Sequence, residues 1–433
     1  MGLARTGREC ASFLARRGAR VAVTDLRAEQ ELKQDMEALA EFPIRYFLGG
    51  EDRRCLDGVD CVVLSPGVPA ENALVQEAIR RGIKILSEIE LAYRFLRAPL
   101  IAITGTNGKS TTTTLVGEML KANAKAFVGG NIGTPLIGFV DGEWQWGVVE
   151  ISSFQLEWIE EFRPRISVLL NLTEDHLDRY PSFRAYCQAK QRIFEAQTED
   201  DLAILNRDDP LVWEMRKRIR ARVISFGFSE VREGVFVSSR EIVWRAAAKE
   251  EKFPLALVKI QGVHNVENMM AAIAAAKSAG LSASAIQKVL EEFSGLEHRL
   301  EFVREKDGVR YYNDSKGTNV GAVVKSLASF CDPVILLAGG VDKGGDYGAL
   351  RQEIEQKVRR LVLFGEAKEI IAQALGGLTD TVTVENLEAA VRDASSQARS
   401  GDVVLLSPAC SSFDMFRDYA ERGRVFKALV HGL

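Results

Sequence analysis

Short apolar runs rich in β-branched residues alternate with amphipathic stretches along most of the chain. This alternation predicts an α/β protein with parallel sheets and helices packed on their faces. A chain of 433 residues corresponds to about three domains of ordinary size. We therefore expect three consecutive domains, at 1–88, 89–294 and 295–433, of which the first and the last are Rossmann-like.

The predicted strands fall into three groups that follow this division. They lie at 21–24, 61–64 and 83–85, then at 101–104, 148–151, 166–170, 203–205 and 223–225, and finally at 309–312, 334–337, 361–364, 381–384 and 403–406. The linker at 87–99 is helical in composition, and an Ala-rich segment at 265–279 predicts a helix. The polar stretch 229–259 is less regular and is compatible with a β-rich region.

The chain starts with a glycine-containing turn, from Gly2 to Gly7, of the kind that follows the first strand of a Rossmann unit. Asp25 ends the next predicted strand, where an acidic residue commonly contacts a ribose. Met1 directly precedes the turn, so the strand that normally leads into it is absent. This predicts either residues upstream of Met1 or a rearranged domain, and a plain strand–helix connection explains the turn equally well.

Composition narrows the class of protein. The net charge of -4 and the pI near 5.9 show that the chain is not strongly basic, so a nucleic-acid partner is not expected. The six cysteines are scattered without a paired spacing, which favours a reducing cytoplasm over a disulfide framework or a zinc site. No apolar run reaches membrane-spanning length and no signal-peptide core is present, so we expect a cytoplasmic protein without a membrane partner.

The stretch most informative about function runs from an apolar strand through a glycine turn into a predicted helix. Its residues are Gly105, Thr106, Asn107, Gly108, Lys109, Ser110 and Thr111. The N–H groups of such a turn, the helix N-terminus and the lysine bind phosphates, and a hydroxyl can ligate Mg²⁺. The spacing is shorter than in the usual Walker pattern, which has glycine where Ile103 stands. Binding of a nucleoside triphosphate is predicted, so the central domain at 89–294 is expected to be a P-loop-type ATPase domain. The alternative is an ordinary turn with a surface lysine.

Acidic residues follow two strands at the same predicted sheet edge as this loop. Glu150 ends one strand, and the segment 174–178 after the next strand carries three acids and His176. Together they predict a metal and substrate site, although each acid alone is compatible with a solvated cap. Lys190 lies on an amphipathic helix, where a solvated lysine is the default interpretation.

Further polar groups occur in the last third of the chain and just before it. Asn265 and Asn268 open the Ala-rich helix, where they can serve as caps or as adenine contacts. Three polar loops follow predicted strands, at 313–319, 339–345 and 407–414. With Lys316 and Lys343 among them, these loops predict a crevice for an anionic, carboxylate-bearing ligand.

Taken together, these motifs resemble the Mur ligases of bacterial cell-wall synthesis. The matching segments are 104–111, 150–154, 173–178, 264–265, 298–299, 313–319 and 407–410. The segments 129–133, 152–156 and 407–412 are most similar to the branch of the family that adds D-glutamate to UDP-N-acetylmuramoyl-L-alanine. The Asp-Asn-Pro-Arg motif by which another branch selects diaminopimelate is absent from the sequence.

The resemblance implies an ATP-dependent acid–amino-acid ligase that works through an acyl phosphate, with Mg²⁺, in the cytoplasm and as a monomer. The first domain would hold the UDP-linked substrate, the second ATP, and the third D-glutamate. The implied catalytic group is Lys109, Glu150, His176 and Lys190, and the implied metal ligands are Ser110, Glu150, His176 and Lys190. Lys190 matches the family lysine that CO₂ carbamylates, which would turn an ammonium into an anionic Mg²⁺ ligand.

The resemblance also implies which residues of this sequence contact each substrate, because the family's contact positions can be matched one by one. The ATP contacts implied are Gly105, Thr106, Asn107, Gly108, Lys109, Ser110, Thr111, Asn265, Asn268, Arg299 and Asp314. Those for the uridine nucleotide are Thr6, Asp25, Arg27, Ser65, Gly67, Asn131 and Ser152. Those for D-glutamate are Thr318, Lys343, Ser412, Phe413 and Tyr419. Two departures concern the uridine side, where Ala4 replaces a loop glycine and Leu26 takes a position at which a hydroxyl-bearing residue can occur.

Other functions stay open at this point. The phosphate loop is shared with folylpolyglutamate synthases, so a folylpolyglutamate synthase-like enzyme or a Mur ligase for a different amino acid is the alternative within the ligase class. A nicotinamide dehydrogenase would explain the N-terminal turn and Asp25 but not the phosphate loop. A non-catalytic regulator would bind ATP without releasing phosphate.

Overall fold

The computed structural model describes residues 1–247, 249–260 and 262–433. Short parallel strands and helices alternate in its N-terminal part. The helices are α1 (Arg5–Arg16), α2 (Glu29–Glu37), α3 (Ala73–Arg80) and α4 (Glu88–Tyr93), and the strands are β1 (Ala22–Asp25), β2 (Arg45–Leu48), β3 (Cys61–Leu64) and β4 (Lys84–Ser87). β1 pairs with β2 and β3 pairs with β4, both in parallel, as separate two-stranded sheets.

The first two residues of the chain lie between these two strand pairs. The Gly2 N–H donates to the Thr24 carbonyl at 2.8 Å, and the Ser65 N–H donates to the Met1 carbonyl at 3.0 Å. The Met1 amino group donates to the Val63 carbonyl at 2.8 Å. Backbone groups of Met1 and Gly2 therefore connect the two strand pairs, and the glycine turn leads into α1.

The central part of the chain carries the largest sheet. Its strands are β5 (Leu100–Thr104), β6 (Ala126–Gly130), β7 (Trp146–Glu150), β8 (Ile166–Leu169), β9 (Leu202–Asn206), β10 (Arg222–Gly227), β11 (Gly234–Ser238), β12 (Glu241–Ala246) and β13 (Lys249–Pro254). Its helices are α5 (Lys109–Lys121), α6 (Ser153–Leu156), α7 (Phe183–Gln191), α8 (Pro210–Met215), α9 (Val263–Ser278) and α10 (Ala283–Glu292). Among the described residues the strand order is β13-β12-β11-β10-β9-β8-β5-β7-β6.

β5 lies inside this sheet, between β7 and β8, and every one of its residues is buried. α5 and the Ala-rich α9 cover one face, since small side chains allow close helix packing. The pairings of β12 with β11 and with β13 are antiparallel, whereas the rest of the sheet is parallel. The expected β-rich character of 229–259 is thus confirmed, and the predicted Ala-rich helix is found at Val263–Ser278.

The C-terminal part forms a further sheet with helices on both faces. Its strands are β14 (Glu301–Lys306), β15 (Val309–Asn313), β16 (Val334–Gly339), β17 (Val358–Phe364), β18 (Asp380–Thr383) and β19 (Val403–Leu406), in the order β14-β15-β19-β16-β17-β18. Its helices are α11 (Val320–Ala328), α12 (Arg351–Lys357), α13 (Lys368–Leu375), α14 (Leu387–Gln397) and α15 (Tyr419–His431). Apolar clusters lie on either face of this sheet.

The predicted fold class, an α/β protein of three successive parts, is confirmed. The proposed boundaries at 88/89 and 294/295 stay a prediction. Within the described residues no helix is both long and apolar enough to cross a lipid bilayer. The parallel strands of the two larger sheets present their carboxyl ends to a shared cleft, where the predicted site residues lie.

Candidate active site

The phosphate loop joins β5 to α5 and adopts a backbone that requires glycine. Gly105 has φ of +146° and Gly108 has φ of +86°, both unfavourable for side chains with a Cβ. A Cβ at Gly108 would also lie 2.1 Å from the Asn268 side-chain oxygen. The loop is anchored by Asn171, whose Oδ1 accepts from the Asn107 N–H at 2.8 Å and whose Nδ2 donates to the Asn107 carbonyl at 3.1 Å. The turn is therefore preformed.

Two lysines converge on this loop from different helices. Lys109 Nζ donates to the carbonyls of Gly105 at 2.9 Å and Thr106 at 2.7 Å, and Lys190 Nζ donates to the same Gly105 carbonyl at 2.8 Å. Lys190 is only 2% exposed, and its ammonium lies 4.8 Å from the centre of the Tyr186 ring. The solvated-lysine interpretation of Lys190 is therefore wrong, and two lysine side chains face one anion-binding loop.

Burial dominates the electrostatics of both lysines. It lowers the pKa of Lys109, and it lowers that of Lys190 well below the usual value, because a buried ammonium loses its hydration. The neighbouring Lys109 charge lowers the Lys190 pKa further. A neutral amine is nucleophilic, whereas an ammonium is not, so the lowered pKa of Lys190 favours the form that reacts with CO₂.

Glu150 has the properties of a cation ligand. Its carboxylate is 2% exposed, and Oε1 accepts a hydrogen bond from Asn131 Nδ2 at 2.6 Å. Its other oxygen, Oε2, is buried and has no hydrogen-bond partner in the described part of the chain. A buried carboxylate oxygen without a partner is costly unless a cation satisfies it, so the position fits Mg²⁺. Ser110, the other oxygen ligand predicted, accepts from Arg299 Nη2 at 2.6 Å.

A compact set of acidic side chains lies elsewhere, at Glu90, Glu160 and Glu161. The ligand atoms of these three side chains all lie within 4.8 Å of one another, which is close enough for a shared metal ion. The Glu90 carboxylate there accepts backbone N–H groups from 160 to Phe162, and Arg94 contacts the acids of the set. The carboxylates of this set already have hydrogen-bond and ion-pair partners within the protein, so we assign them a role in stabilising the fold and not in binding a metal.

His176 follows β8 in a left-handed backbone conformation, with φ of +56°. Its Nε2 lies 3.7 Å from Asp175 Oδ2, and its ring meets the Phe154 ring edge-on at 4.8 Å between centroids. Burial lowers the pKa of His176 to about 4, which outweighs the opposite effect of Asp175. The imidazole is therefore neutral at pH 7 and can accept a proton or a hydrogen bond.

Residues of the C-terminal sheet contact the phosphate loop directly. Besides the Arg299–Ser110 contact, Asn107 and Asn319 exchange hydrogen bonds between their amide groups at 3.4 and 3.3 Å. Asn319 also donates to Asp175 Oδ2 at 3.1 Å. The cleft between the central and C-terminal parts is thus closed, and groups from both lie at one sheet edge.

Most of the predicted ATP contacts line one cavity of this cleft. The predicted residues on its wall are Asn107, Gly108, Thr111, Asn265, Asn268, Arg299 and Asp314. Asp314 is buried and accepts from the hydroxyls of Ser326 and Ser407, each at 2.7 Å. Burial raises the pKa of Asp314 to about 6 against the effect of these bonds. The other predicted contacts, Gly105, Thr106, Lys109 and Ser110, belong to the adjoining phosphate loop.

Five of the seven residues predicted to contact the uridine nucleotide line a single cavity. A cavity of about 370 Å³ at the ends of β1 and β3 is lined by Thr6, Asp25, Arg27, Ser65 and Gly67. Burial would raise the pKa of Asp25, but hydrogen bonds from Arg27 and the Leu3 N–H outweigh it and lower the pKa to about 2. The carboxylate that sequence analysis assigned to a ribose is thus ionised and held by the protein.

A second cavity, of about 520 Å³, continues from the first towards His176. Gly67 and Pro69 line both cavities, and His176 lines the second. Asn131 and Ser152 are on the wall of neither cavity: Asn131 binds Glu150, and the Ser152 hydroxyl caps α6. Their assignment to the UDP-linked substrate stays a prediction.

The predicted D-glutamate contacts are more dispersed. Lys343 lines a small cavity with Asp175, and its Nζ lies 3.5 Å from Asp175 Oδ1. The other four, Thr318, Ser412, Phe413 and Tyr419, do not line that cavity. Phe413 is 73% exposed, whereas Ser412 is buried. The five-residue pocket therefore stays a prediction.

Sequence analysis missed Arg422, a wholly buried guanidinium on α15. It donates to the Ser315 hydroxyl at 3.0 Å and to the carbonyls of Ser315, Cys410 and Ser411 at 2.8, 3.2 and 3.3 Å. Burial lowers the pKa of Arg422 to about 10, so it stays charged at pH 7. The side chain ties together the loops after β15 and β19, where the predicted amino-acid contacts lie.

We expect Arg422→Met to lower the free energy of unfolding by about 3 kcal/mol or more, because several buried carbonyls lose their donors at once. Urea unfolding followed by circular dichroism measures this change. Arg424→Met, on the exposed side of the same helix, is the matched control and should change stability by no more than about 0.5 kcal/mol. Equal effects of the two substitutions would contradict the structural role of Arg422.

Comparison with known proteins identifies the family. Family models described as the MurD-like N-terminal domain, the Mur ligase middle domain and the Mur ligase glutamate ligase domain match residues 1–87, 103–276 and 298–410. A UDP-N-acetylmuramoylalanine–D-glutamate ligase of Geobacter metallireducens is 54% identical, over 100% of this chain and 96% of that protein. The chain belongs to the Mur ligase family. A second ligase of the same name, from Trichlorobacter lovleyi, is 51% identical over 100% of this chain and 98% of its own length.

Solved structures of Mur ligases share the fold. The UDP-N-acetylmuramate-alanine ligase MurC of Thermotoga maritima superposes with a TM-score of 0.60 at 20% identity, covering 100% of this chain and 98% of that one. Mur ligases are ATP-dependent amide ligases of peptidoglycan synthesis that use Mg²⁺, and this chain is an enzyme of that class. The family resemblance is therefore confirmed, and the dehydrogenase and the non-catalytic regulator are excluded.

Proposed function

We propose that this Mur ligase joins D-glutamate to the L-alanine carboxylate of UDP-N-acetylmuramoyl-L-alanine, in the cytoplasm and as a monomer. The observation that carries the proposal is the line of two cavities from Asp25 to His176, in the segment after β8 whose Thr173 hydrogen-bonds to Thr106 of the phosphate loop. A nucleotide-linked acid lying along it would direct its carboxyl group towards Lys109. The names of the relatives that are more than half identical support the same two substrates.

In the first step, a carboxylate oxygen of the substrate attacks the γ-phosphorus of ATP. The new bond is an acyl O–P bond, and the bond that breaks is that between the γ-phosphorus and the oxygen that leaves with ADP. Two anions must approach each other, so the barrier is mainly electrostatic. Lys109 and the N–H groups of the loop neutralise that repulsion, and Arg299 does so from the C-terminal part.

Magnesium would be held by Glu150 and Ser110, whose oxygens are buried beside the loop, with His176 nearby. Bound there, the ion would supply positive charge to the phosphate oxygens of ATP. Lys190 fits the same set once carbamylated: its neutral amine would add to the carbon of CO₂ and lose a proton, which leaves an anionic carbamate. That anion would face Lys109 and would attract its ammonium group.

In the second step, the D-glutamate amine attacks the carbonyl carbon of the acyl phosphate. A tetrahedral intermediate forms, and its collapse breaks the C–O bond to phosphate and yields the amide. The amine must lose a proton in this step, and neutral His176 is a suitable acceptor. Lys343 would hold a carboxylate of D-glutamate close to Asp175.

The experiment is a phosphate-release assay with the purified enzyme, ATP and Mg²⁺ across pairs of acceptors and amino acids. We expect orthophosphate and a new amide with UDP-N-acetylmuramoyl-L-alanine and D-glutamate, and neither with L-glutamate or diaminopimelate. A pteroyl acceptor with L-glutamate tests the folylpolyglutamate synthase alternative in the same assay. Release that requires a pteroyl acceptor, or a different amino acid, would refute the proposal.

Lys343→Ala should raise the KM for D-glutamate about 10- to 100-fold, because one charge-assisted contact is lost. The KM values for ATP and for the UDP-linked substrate should stay within about twofold, since Lys343 does not line their cavities. Steady-state kinetics with each substrate varied in turn measures this. Lys288→Ala, at an exposed position of α10, is the control. An unchanged KM for D-glutamate would remove Lys343 from the pocket.

A further inference from the structure

Arg179 makes a contact between the N-terminal and central parts that the reaction steps above do not use. Its Nη1 donates to the Pro66 carbonyl at 2.9 Å, and its Nη2 donates to the Val68 carbonyl at 3.2 Å. Nη2 also donates to Glu157 Oε2 at 2.8 Å. The side chain is 13% exposed, so this ion pair is largely shielded from water. The planar fork of the guanidinium suits two carbonyls and a carboxylate at once, which an ammonium does not.

The segment that Arg179 holds is the loop after β3, residues 65–69. All five of its residues line the uridine-side cavity, and Gly67 and Pro69 also line the second cavity, whose wall includes Arg179 and His176. The position of this loop therefore sets the width of the passage between the two cavities. The hydrogen bonds from Arg179 to the loop are accepted by backbone carbonyls, so they do not require particular side chains at Pro66 and Val68.

The other side of Arg179 packs towards the reacting edge. Its Cζ lies 4.1 Å from the centre of the Phe154 ring, and that ring meets His176 edge-on. Glu157 is held in turn by the Tyr180 hydroxyl, which donates to Oε1 at 2.6 Å. The guanidinium is thus fixed on the central part by a carboxylate and an aromatic face, and it presents the remaining N–H groups to the N-terminal loop.

We propose that Arg179 is a positioning residue for the nucleotide-linked acid. It holds loop 65–69 against the His176 side of the central part and so sets the affinity for a substrate that spans both cavities. Neither Arg179 nor loop 65–69 lines the cavity of the predicted ATP contacts or the small cavity at Lys343, so binding of ATP and of the amino acid should be independent of this contact. This inference rests on the proposed function, because it assumes that the UDP-linked substrate occupies the two cavities.

The test compares Arg179→Ala and Arg179→Lys with Arg192→Ala. Arg192 is the matched control: it donates to the carbonyls of Leu156 and Ile159 at 3.0 and 2.8 Å, but entirely within the central part. For both Arg179 variants we expect the KM for UDP-N-acetylmuramoyl-L-alanine to rise about 10- to 100-fold, with kcat and the KM values for ATP and D-glutamate within about threefold. Added guanidinium ion at millimolar concentration should partly restore Arg179→Ala.

Titration calorimetry with the UDP-linked substrate gives a second readout that does not require turnover. The Arg179 variants should bind it more weakly by the same factor, and Arg192→Ala should bind it like the wild type. An unchanged affinity in Arg179→Lys and Arg179→Ala, or an equal loss in Arg192→Ala, would overturn the inference. A wild-type enzyme that binds the substrate but forms no amide would refute the proposed function instead, so the two failures are distinguishable.

Discussion

Lys109→Ala is expected to lower the rate of orthophosphate release by about 10³-fold or more, because charge neutralisation is the main source of catalysis in phosphoryl transfer. Lys109 belongs to the preformed loop, and its Nζ lies against the carbonyls of Gly105 and Thr106, where the terminal phosphates of ATP would bind. A coupled phosphate assay at saturating substrate concentrations measures the effect on kcat.

Lys121→Ala is the matched control for this experiment. Lys121 lies at the other end of the same helix, where it is exposed and pairs with Glu118. Its loss should leave the rate within about twofold of the wild type, since isolated surface pairs contribute little. A Lys109→Ala enzyme that kept more than a tenth of the wild-type rate would contradict the mechanism, provided that its circular dichroism spectrum matched that of the wild type.

The second large effect concerns Lys190. Lys190→Ala should reduce the rate by about 10²-fold or more, because the carbamate that would complete the magnesium site is lost. Acetate or formate at high concentration should restore part of the activity, since either carboxylate can take the place of the missing anion. Lys109→Ala, which lacks a cation and not an anion, should show no such recovery and is the control.

The carbamate also has a readout that is independent of activity. The wild-type protein in ¹³C-labelled bicarbonate should give a carbamate resonance in its ¹³C NMR spectrum, and Lys190→Ala should not. The lowered pKa of Lys190 favours this modification, because CO₂ reacts with the neutral amine and not with the ammonium. Full activity of Lys190→Ala without added carboxylate would contradict the proposed role.

Buried parallel strands were predictable because their apolar runs are continuous. β5, β16 and β19 are buried along their whole length, and each was predicted to within one or two residues. β2 and β14 were missed, because these strands at sheet edges are half-exposed and mix polar with apolar residues. β6 was also missed, because the two glycines at its end shorten the apolar run that would have indicated a strand.

The candidate site divides in a similar way. The phosphate loop and the acids after β7 and β8 were recognisable because they are local motifs at strand ends. Lys190 was ambiguous, since a helix pattern does not reveal which neighbour a lysine meets, and only the packing of α7 brings it to the Gly105 carbonyl. Arg179 and Arg422 gave no signal, because their partners are backbone carbonyls distant in sequence.

Local chemistry was therefore determined by the amino-acid sequence alone: the α/β alternation, the glycines of the phosphate loop and the residue types that bind phosphate and metal. Tertiary structure decided which of these groups share a cleft, that Lys190 is buried, and how the N-terminal loop is held. The physical reason is the distance along the chain over which each kind of interaction acts. Periodicity and turn preferences act over a few residues, whereas burial, pKa shifts and cavities arise only when distant segments pack together.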